Sequence, residues 1–218
     1  DDDYTTEGVA ITLPVPTRTG YTFDGWYEES DFSGTKLGVT YTTTADITIY
    51  AKWSANTYTV LYEYNGRDGG DSDSSDTYTT GGTSITLPVP TRTGYTFAGW
   101  HDNADLSDAS DVSSPYTTSV NRTLYAGWSA IDYALSYNAN NGTGSLPASS
   151  VNYNYQDSVG ILGPGGLTRT GYSFVGWTQA ADGSGTVYTS GDTLSMPAQA
   201  VTLYAKWSQP TLTLDSST

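Results

Sequence analysis

Hydrophobic and polar side chains alternate along short stretches of this chain, and turn-forming residues separate the stretches. Residues 47–53 read ITIYAKW, which places isoleucine, alanine and tryptophan on one face and threonine, tyrosine and lysine on the other. Such alternation is typical of a half-buried β-strand. Similar stretches occur at 58–64 and 133–139, and no segment keeps a helical spacing of apolar residues over the length of a helix. The pattern predicts a mostly β fold, α+β at most, with at most one short helical turn, at LPVP.

The alternating stretches belong to a sequence that occurs three times. Residues 11–23, ITLPVPTRTGYTF, recur without change at 85–97, and a looser copy, LTRTGYSF, occupies 167–174. A second motif closes each copy, and it reads YAKW at 50–53, YAGW at 125–128 and YAKW at 204–207. The exact copies start 74 residues apart, at 11 and 85. A repeat of this length suits a small module with its own core, to which aromatic residues contribute a large apolar area. The chain is therefore expected to form tandem modules.

The phrase GYTFDGW at 20–26 returns as GYTFAGW and GYSFVGW. Strict alternation would turn Trp26 away from Phe23 and toward solvent. A β-bulge at Gly25 would return Trp26 to the core, because one extra residue reverses the alternation. Gly20 is expected to open the strand from a turn with positive φ. The phrase predicts a corner of the core rather than a binding site.

Aligning the copies divides the chain into four segments. Residues 1–54 form the first repeat, 55–129 the second and 130–208 the third, and 209–218 form a C-terminal tail. The second and third repeats open with a predicted strand that the first repeat lacks. The tail aligns with that opening strand, and the aligned residues are Thr211, Leu212, Thr213, Leu214 and Asp215.

Three ordered copies of TRxGYxFxGW and LYAKW, opened by a strand such as YALSYNANNGTG, resemble the Listeria–Bacteroides repeat, also known as the B-repeat of internalin B. The resemblance covers 4–54, 55–129 and 130–208. It implies small β-grasp (ubiquitin-like) modules of a few strands and a short helix, arrayed on bacterial surface proteins, and it implies no catalytic residues. The second copy departs from the pattern at Gly127, which replaces the lysine of YAKW.

Composition narrows the class of function. The 218 residues carry a net charge of −15 and contain no cysteine. Nucleic acid is not an expected partner, because its binding requires clustered Lys and Arg. No disulfide or thiolate chemistry is available, and no apolar run is long enough for a membrane-spanning helix. We expect an extracellular, prokaryotic cell-surface protein. No cofactor is expected, and calcium is the one ion considered as a ligand.

Candidate chemistry is confined to acidic clusters, one histidine and the aromatic residues. Two Asp-rich stretches carry the oxygen ligands that Ca²⁺ prefers, and their residues are Asp71, Asp73, Asp76, Asp102, Asp105 and Asp108. Neither stretch has the glycine and final glutamate of the helix–loop–helix calcium motif. His101 lacks a nucleophile and an orienting group in sequence, so an enzyme is not expected. The tryptophans recur in every copy, which favours core packing over glycan binding.

The unmatched ends suggest a structural role. A module without its opening strand exposes an unpaired edge, and the tail of another molecule would restore it by strand addition. The acceptor would be the core of the first repeat, formed by Ile11, Leu13, Tyr21, Phe23, Trp26, Ile49 and Trp53. Head-to-tail contacts of this kind generate filaments, so the sequence favours a stalk or fibre subunit that associates with itself.

Three alternatives stay open at the level of sequence. The chain is a fragment of a longer array, or its tail packs on its own third repeat, or the protein is an adhesin. An adhesin would bind a glycan or a host-surface protein, and its variable loop 101–116 is the best candidate for the contact surface.

Overall fold

The computed structural model describes residues 8–106, 112–148 and 150–211. Every regular element within these ranges is a β-strand, and no helix occurs in them. The prediction of a mostly β fold is confirmed, and the LPVP segments form no helical turn. Proline at two of four positions removes the backbone N–H groups that a helix or a strand ladder would use.

The first repeat is built from two antiparallel ribbons. Its strands are β1 (Ile11–Thr12), β2 (Tyr21–Tyr27), β3 (Thr40–Tyr41) and β4 (Tyr50–Ala55). Strand β1 pairs with β3, and β2 pairs with β4.

The second repeat has a four-stranded sheet and a short ribbon. Its strands are β5 (Thr57–Glu63), β6 (Gly69–Gly70), β7 (Ser75–Thr79), β8 (Pro90–Thr91), β9 (Tyr95–His101) and β10 (Arg122–Ala130). The sheet order is β7-β5-β10-β9, with the opening strand β5 parallel to the last strand β10. The ribbon pairs β6 with β8.

The third repeat has the same sheet. Its strands are β11 (Asp132–Asn138), β12 (Ser150–Asn154), β13 (Ser158–Gly160), β14 (Ser173–Thr178), β15 (Thr193–Ser195) and β16 (Val201–Ser208). The order is β12-β11-β16-β14, with β11 and β16 parallel, and β13 pairs with β15. The β-grasp assignment stays a prediction, because no helix packs on this sheet in the described part of the chain.

The GW glycine forms the predicted bulge. The register of β2 on β4 shifts between Phe23 and Gly25, and that of β14 on β16 shifts between Phe174 and Gly176. The shift turns Trp177 inward, where it is fully buried and packs edge-on against Phe174 with ring centroids 5.1 Å apart. The phrase is therefore a corner of the core, as the sequence predicted.

The core of the third repeat lies between its sheet and the ribbon of β13 and β15. Trp177 is its centre, and its indole N–H donates to the carbonyl of Leu162 at 2.9 Å. The other buried residues are Leu135, Tyr137, Val159, Ile161, Leu167, Leu194, Met196, Val201, Leu203 and Ala205. Burying large apolar side chains of this kind contributes roughly 1.5–3 kcal/mol each.

One predicted strand is shorter than the sequence pattern indicated. The alternation predicted a strand over 47–53, but β4 begins at Tyr50 and Ile47, Thr48 and Ile49 lie outside it. The corresponding strands β10 and β16 begin three positions earlier relative to their tryptophans. The corresponding positions of β10 and β16 pair with an opening strand. Strand β4 therefore begins late because no described strand pairs with it there.

Residue contacts group the chain into two compact units. One comprises 1–65, 72–88 and 99–126, and the other comprises 66–71, 89–98 and 127–218. The first repeat lies wholly in the first unit and the third repeat wholly in the second.

Candidate functional site: the open edge of the first repeat

The last strand of a complete repeat is paired along both of its edges. In the second repeat, residues 122–125 of β10 pair in parallel with residues 60–63 of β5. In the third repeat, residues 201–204 of β16 pair in the same way with residues 135–138 of β11. Both pairings join the opening strand of a repeat to its last strand, and so they close the sheet over the core.

The first repeat lacks this pairing. Within the described residues β4 has β2 as its single partner, so its second edge is open. The segment Ile47–Ile49, which corresponds to the paired start of β10 and β16, is not in a strand. Unpaired backbone groups along such an edge are a template for another strand.

Side-chain burial changes together with the pairing. Ile47 is 46% exposed, whereas the corresponding Val201 is 6% exposed. Ile49 is half-buried, whereas the corresponding Leu124 and Leu203 are fully buried. The apolar residues that would lie under an opening strand are therefore in contact with water.

Three aromatic residues of the predicted acceptor pack together on strands β2 and β4. Phe23 packs edge-on against Trp26 and Trp53, with centroid separations of 5.6 and 5.4 Å. The indole N–H of Trp26 donates to the carbonyl of Pro14 at 2.8 Å. Trp26 is nevertheless only half-buried, whereas the corresponding Trp177 is fully buried. The acceptor core is formed but uncovered.

Three other predicted acceptor residues lie outside this aromatic cluster. Ile11 lies within the ribbon of β1 and β3 and is half-buried. Leu13 lies next to that ribbon and is buried. Tyr21 lies under the guanidinium of Arg18, 3.9 Å from the ring centroid, and its hydroxyl lies near Gly81 of the second repeat. Tyr21 is thus at the junction between repeats as well as at the end of the core.

The predicted donor residues fall almost wholly outside the described residues. Thr211 is described and exposed, and Leu212, Thr213, Leu214 and Asp215 lie beyond the described ranges. The donor assignment stays a prediction.

The acidic residues of the first candidate calcium cluster make other contacts. The carboxylate of Asp76 accepts from the hydroxyl of Tyr62 at 2.8 Å, and that of Asp71 accepts from the N–H of Val89 at 3.0 Å. The backbone carbonyl of Asp73 accepts from the hydroxyl of Tyr64 at 2.6 Å.

The second cluster is described in part. A carboxylate oxygen of Asp102 lies 3.7 Å from a guanidinium nitrogen of Arg122, and Asp105 is exposed. Asp108 lies outside the described residues, as does the whole stretch 107–111 of the candidate adhesin loop. Among the described residues no three acidic or histidine side chains are grouped so as to hold a metal ion. Calcium binding and the adhesin alternative stay predictions.

Hydrogen bonds and burial change the pKa values of two ionisable groups in the second repeat. Burial raises the pKa of Tyr62, and its hydrogen bond to Asp76 raises that pKa further. Hydrogen bonds from Thr93 lower the pKa of Asp68. The carboxylates of Asp76 and Asp68 therefore act as hydrogen-bond acceptors within the second repeat.

Sequence reasoning missed two asparagines. Asn65 donates from Nδ2 to the carbonyl of Ala126 at 2.9 Å, and Asn140 donates to that of Ala205 at 2.9 Å. Each lies in the turn after the opening strand, three positions after an aromatic residue of that strand. The shared spacing was the signal that could have revealed them.

Comparison with known proteins agrees with the three-fold repeat. The family model of the Listeria-Bacteroides repeat domain matches residues 1–52, 58–127 and 133–206. Internalin H of Listeria monocytogenes is 34% identical over 119 residues, which is 51% of this chain and 20% of the relative.

Two proteins of Evansella cellulosilytica are also similar. One, provisionally named a membrane protein, is 36% identical over 203 residues, or 92% of this chain and 30% of its own length. The other, provisionally named a Gly-rich membrane protein, is 36% identical over 200 residues, or 87% of this chain and 21% of its own length. This chain therefore spans less than a third of each relative. No solved structure matched it.

No helix with the length and hydropathy needed to cross a membrane occurs in the described part of the chain. The family match covers most of the sequence in three consecutive copies, and the strand order of the second copy is the same as that of the third. This chain belongs to the Listeria–Bacteroides repeat family.

Proposed function

We propose that this chain is a structural segment of an extracellular protein on a prokaryotic cell surface, in which the first repeat is completed by an added β-strand. Membership of the repeat family supports the structural role. The relatives named as an internalin and as membrane proteins support the surface location. Because the chain spans less than a third of those relatives, the role of the whole protein belongs to the proposal.

The observation that carries the proposal is the open edge of β4. The same edge of β10 and β16 is paired in parallel over four residues. Strand addition would supply main-chain hydrogen bonds along this edge and would insert alternate side chains into the core. It would also cover Ile47 and Ile49, whose exposure costs about 25 cal/mol for each Å² of apolar surface.

The tail supplies a candidate donor. Counted from Trp207, Leu214 takes the place that Val60 and Leu135 hold in the opening strands, and both of those are buried. Alternation places Leu212 on the same face of an added strand. A tail that enters the first repeat of another copy makes a head-to-tail contact, and repetition of that contact extends a filament.

Deletion of residues 209–218 tests the proposal. The intact chain is expected to form polymers visible by negative-stain microscopy and by sedimentation velocity, and the deletion is expected to abolish them. Polymer formation should increase with ionic strength, because each copy carries a charge of −15 and salt screens the repulsion between copies.

A matched pair of substitutions separates strand insertion from charge. Leu214→Asp places a carboxylate on the face that enters the core and should abolish polymers. Thr213→Asp adds the same charge on the opposite face and should leave them. Polymers that persist without the tail, or that both variants affect equally, would refute insertion of this segment.

A further inference from the structure

The first repeat contains a groove beside Trp53, lined also by Thr17 and Phe23. In the third repeat, the turn that follows the opening strand occupies the corresponding place beside Trp207. There the indole N–H of Trp207, which corresponds to Trp53, donates to the carbonyl of Ala139 in that turn at 3.0 Å. The indole N–H of Trp53 has no acceptor among the described residues, and none of them forms a corresponding turn over this groove.

Backbone hydrogen bonds along the rim of the groove also differ between the first repeat and the other two. Thr168 exchanges two backbone hydrogen bonds with Thr143 of the turn, at 2.7 and 2.8 Å. Thr91, at the same place in the second repeat, accepts from the N–H of Asp68 at 3.0 Å. Thr17 holds this place in the first repeat, and its backbone has no hydrogen-bond partner in the described part of the chain.

An asparagine fixes each turn to the last strand. Asn65 and Asn140 both have positive φ, 50° and 45°, a region that asparagine tolerates better than most residues. Their Nδ2 groups donate to the carbonyls of Ala126 and Ala205, each at 2.9 Å. The corresponding residue of the first repeat is Ala51, at which no asparagine donates in the described residues.

A tyrosine of the opening strand covers the buried tryptophan. Tyr62 packs on Trp100 with centroids 5.0 Å apart, and Tyr137 packs on Trp177 at 4.7 Å. Both tyrosines are almost fully buried. Trp26, the corresponding tryptophan of the first repeat, is half-buried and has no tyrosine across it among the described residues.

We propose that the open edge and the groove form one binding site for a β-strand that continues into an asparagine turn. The partner is another repeat segment of this class, with a tyrosine three positions before the asparagine, as Tyr62 precedes Asn65 and Tyr137 precedes Asn140. The strand pairs with β4, the tyrosine covers Trp26, and the asparagine binds the carbonyl of Ala51. The inference rests on the proposed strand addition and specifies its partner.

The chain's own tail matches only part of this site. In the tail, Ser216 stands at the place of Tyr62 and Tyr137. A strand without the tyrosine would leave Trp26 uncovered. A segment that carries both the tyrosine and the asparagine turn should therefore bind more tightly than the tail.

Fluorescent peptides titrated against the full chain, at a concentration too low for polymers to form, test the inference by anisotropy. The strand–turn peptide is residues 57–71, its two variants carry Asn65→Ala or Tyr62→Ser, and the strand-only peptide is residues 209–218. The strand–turn peptide should bind most tightly. Asn65→Ala should weaken binding about twofold to tenfold, the effect of one neutral hydrogen bond. Tyr62→Ser should weaken it further, since it removes a buried aromatic contact.

Two chain variants locate the binding. Ile49→Lys, on the face that lies under the added strand, should abolish binding of every peptide, and Thr48→Lys, on the opposite face, should leave it. Equal binding of the tail and the strand–turn peptide, with no effect of Asn65→Ala, would overturn the asparagine-turn inference while strand addition stands. Failure of all peptides to bind would overturn strand addition itself.

Discussion

At the scale of single residues, the glycine of each GW pair sets the direction of the tryptophan that follows it. Gly176 has φ 156°, and a Cβ there would lie 2.7 Å from the carbonyl oxygen of Tyr188 and 2.6 Å from the side chain of Val187. The glycine is needed for two reasons, its backbone angle and the close approach of residues 187 and 188, of which Tyr188 is bridged to Trp177. The bulge that it forms buries Trp177.

Substitution of Gly176 separates these two reasons. Gly176→Ala should lower the free energy of unfolding of the third repeat by about 3 kcal/mol, since it combines backbone strain with a clash against a backbone carbonyl. Gly171 also has positive φ, 77°, but open space around it. Gly171→Ala should therefore cost only about 1–2 kcal/mol. Urea denaturation of each variant measures the difference, and equal costs would show that the close approach is unimportant.

The carboxylate of Asp192 is expected to make the third repeat sensitive to acid. It accepts from both the N–H and the hydroxyl of Thr189, at 2.6 and 2.9 Å, and these bonds lower the pKa of Asp192. A lowered pKa in the folded state gives stability that is fully present above the usual value of about 3.9 and is lost as pH falls through the folded value. Asp192→Asn should lower the thermal midpoint at pH 7 and reduce its fall toward pH 2.5. Parallel curves for the two proteins would contradict this role.

At the scale of elements, the opening strand decides how far the last strand extends. Strand β10 begins at Arg122 and β16 at Val201, each opposite its parallel partner. Without such a partner, β4 begins three positions later in the motif. Apolar alternation is therefore not sufficient to hold a strand at a sheet edge, because a strand also needs backbone partners and side-chain cover.

Restoring the opening strand in the same chain should extend β4. Residue 74 aligns with the position just before Asp1, so residues 57–74 placed directly ahead of Asp1 would supply a strand and a turn in register. Val60 and Tyr62 of the added segment would enter the core, and burial of each contributes roughly 1.5–3 kcal/mol. The thermal midpoint of the first repeat should rise in calorimetry. A fusion with Val60→Asp is the control, and an equal rise with it would argue against insertion.

Strand positions and the bulge were predictable, because alternation and glycine act locally. The late start of β4 was not predictable, because Ile47 and Ile49 satisfy the alternating pattern and lie outside the strand only because no described strand pairs with them. The asparagine turns were hidden for a different reason. Asn65 and Asn140 look like ordinary turn residues until the fold brings them to the carbonyls of strands 61 and 65 positions away.

At the scale of the whole molecule, adjacent repeats are joined by a recurring contact. The carbonyl of Gly20 accepts from the N–H of Asn56, and that of Gly94 accepts from the N–H of Ile131, both at 2.9 Å. At the next position of this kind stands Pro210, which has no N–H to donate. In repeat arrays each module is stabilised by its own core and by its neighbours, so stability varies along the chain.

Hydrogen exchange should reveal this variation directly. The first repeat has one buried apolar side chain among those described, Leu13, whereas the third has a continuous core around Trp177. Local opening is easiest where few apolar contacts hold a segment. Amides of β2 and β4 should therefore exchange faster than those of β14 and β16 when measured by mass spectrometry on the intact chain at a concentration too low for polymers to form. The strand–turn peptide of residues 57–71 should slow exchange in β4 and leave β16 unchanged. Equal protection of β4 and β16 before the peptide is added would mean that the open edge costs the first repeat nothing, and the physical reason for strand addition would be lost.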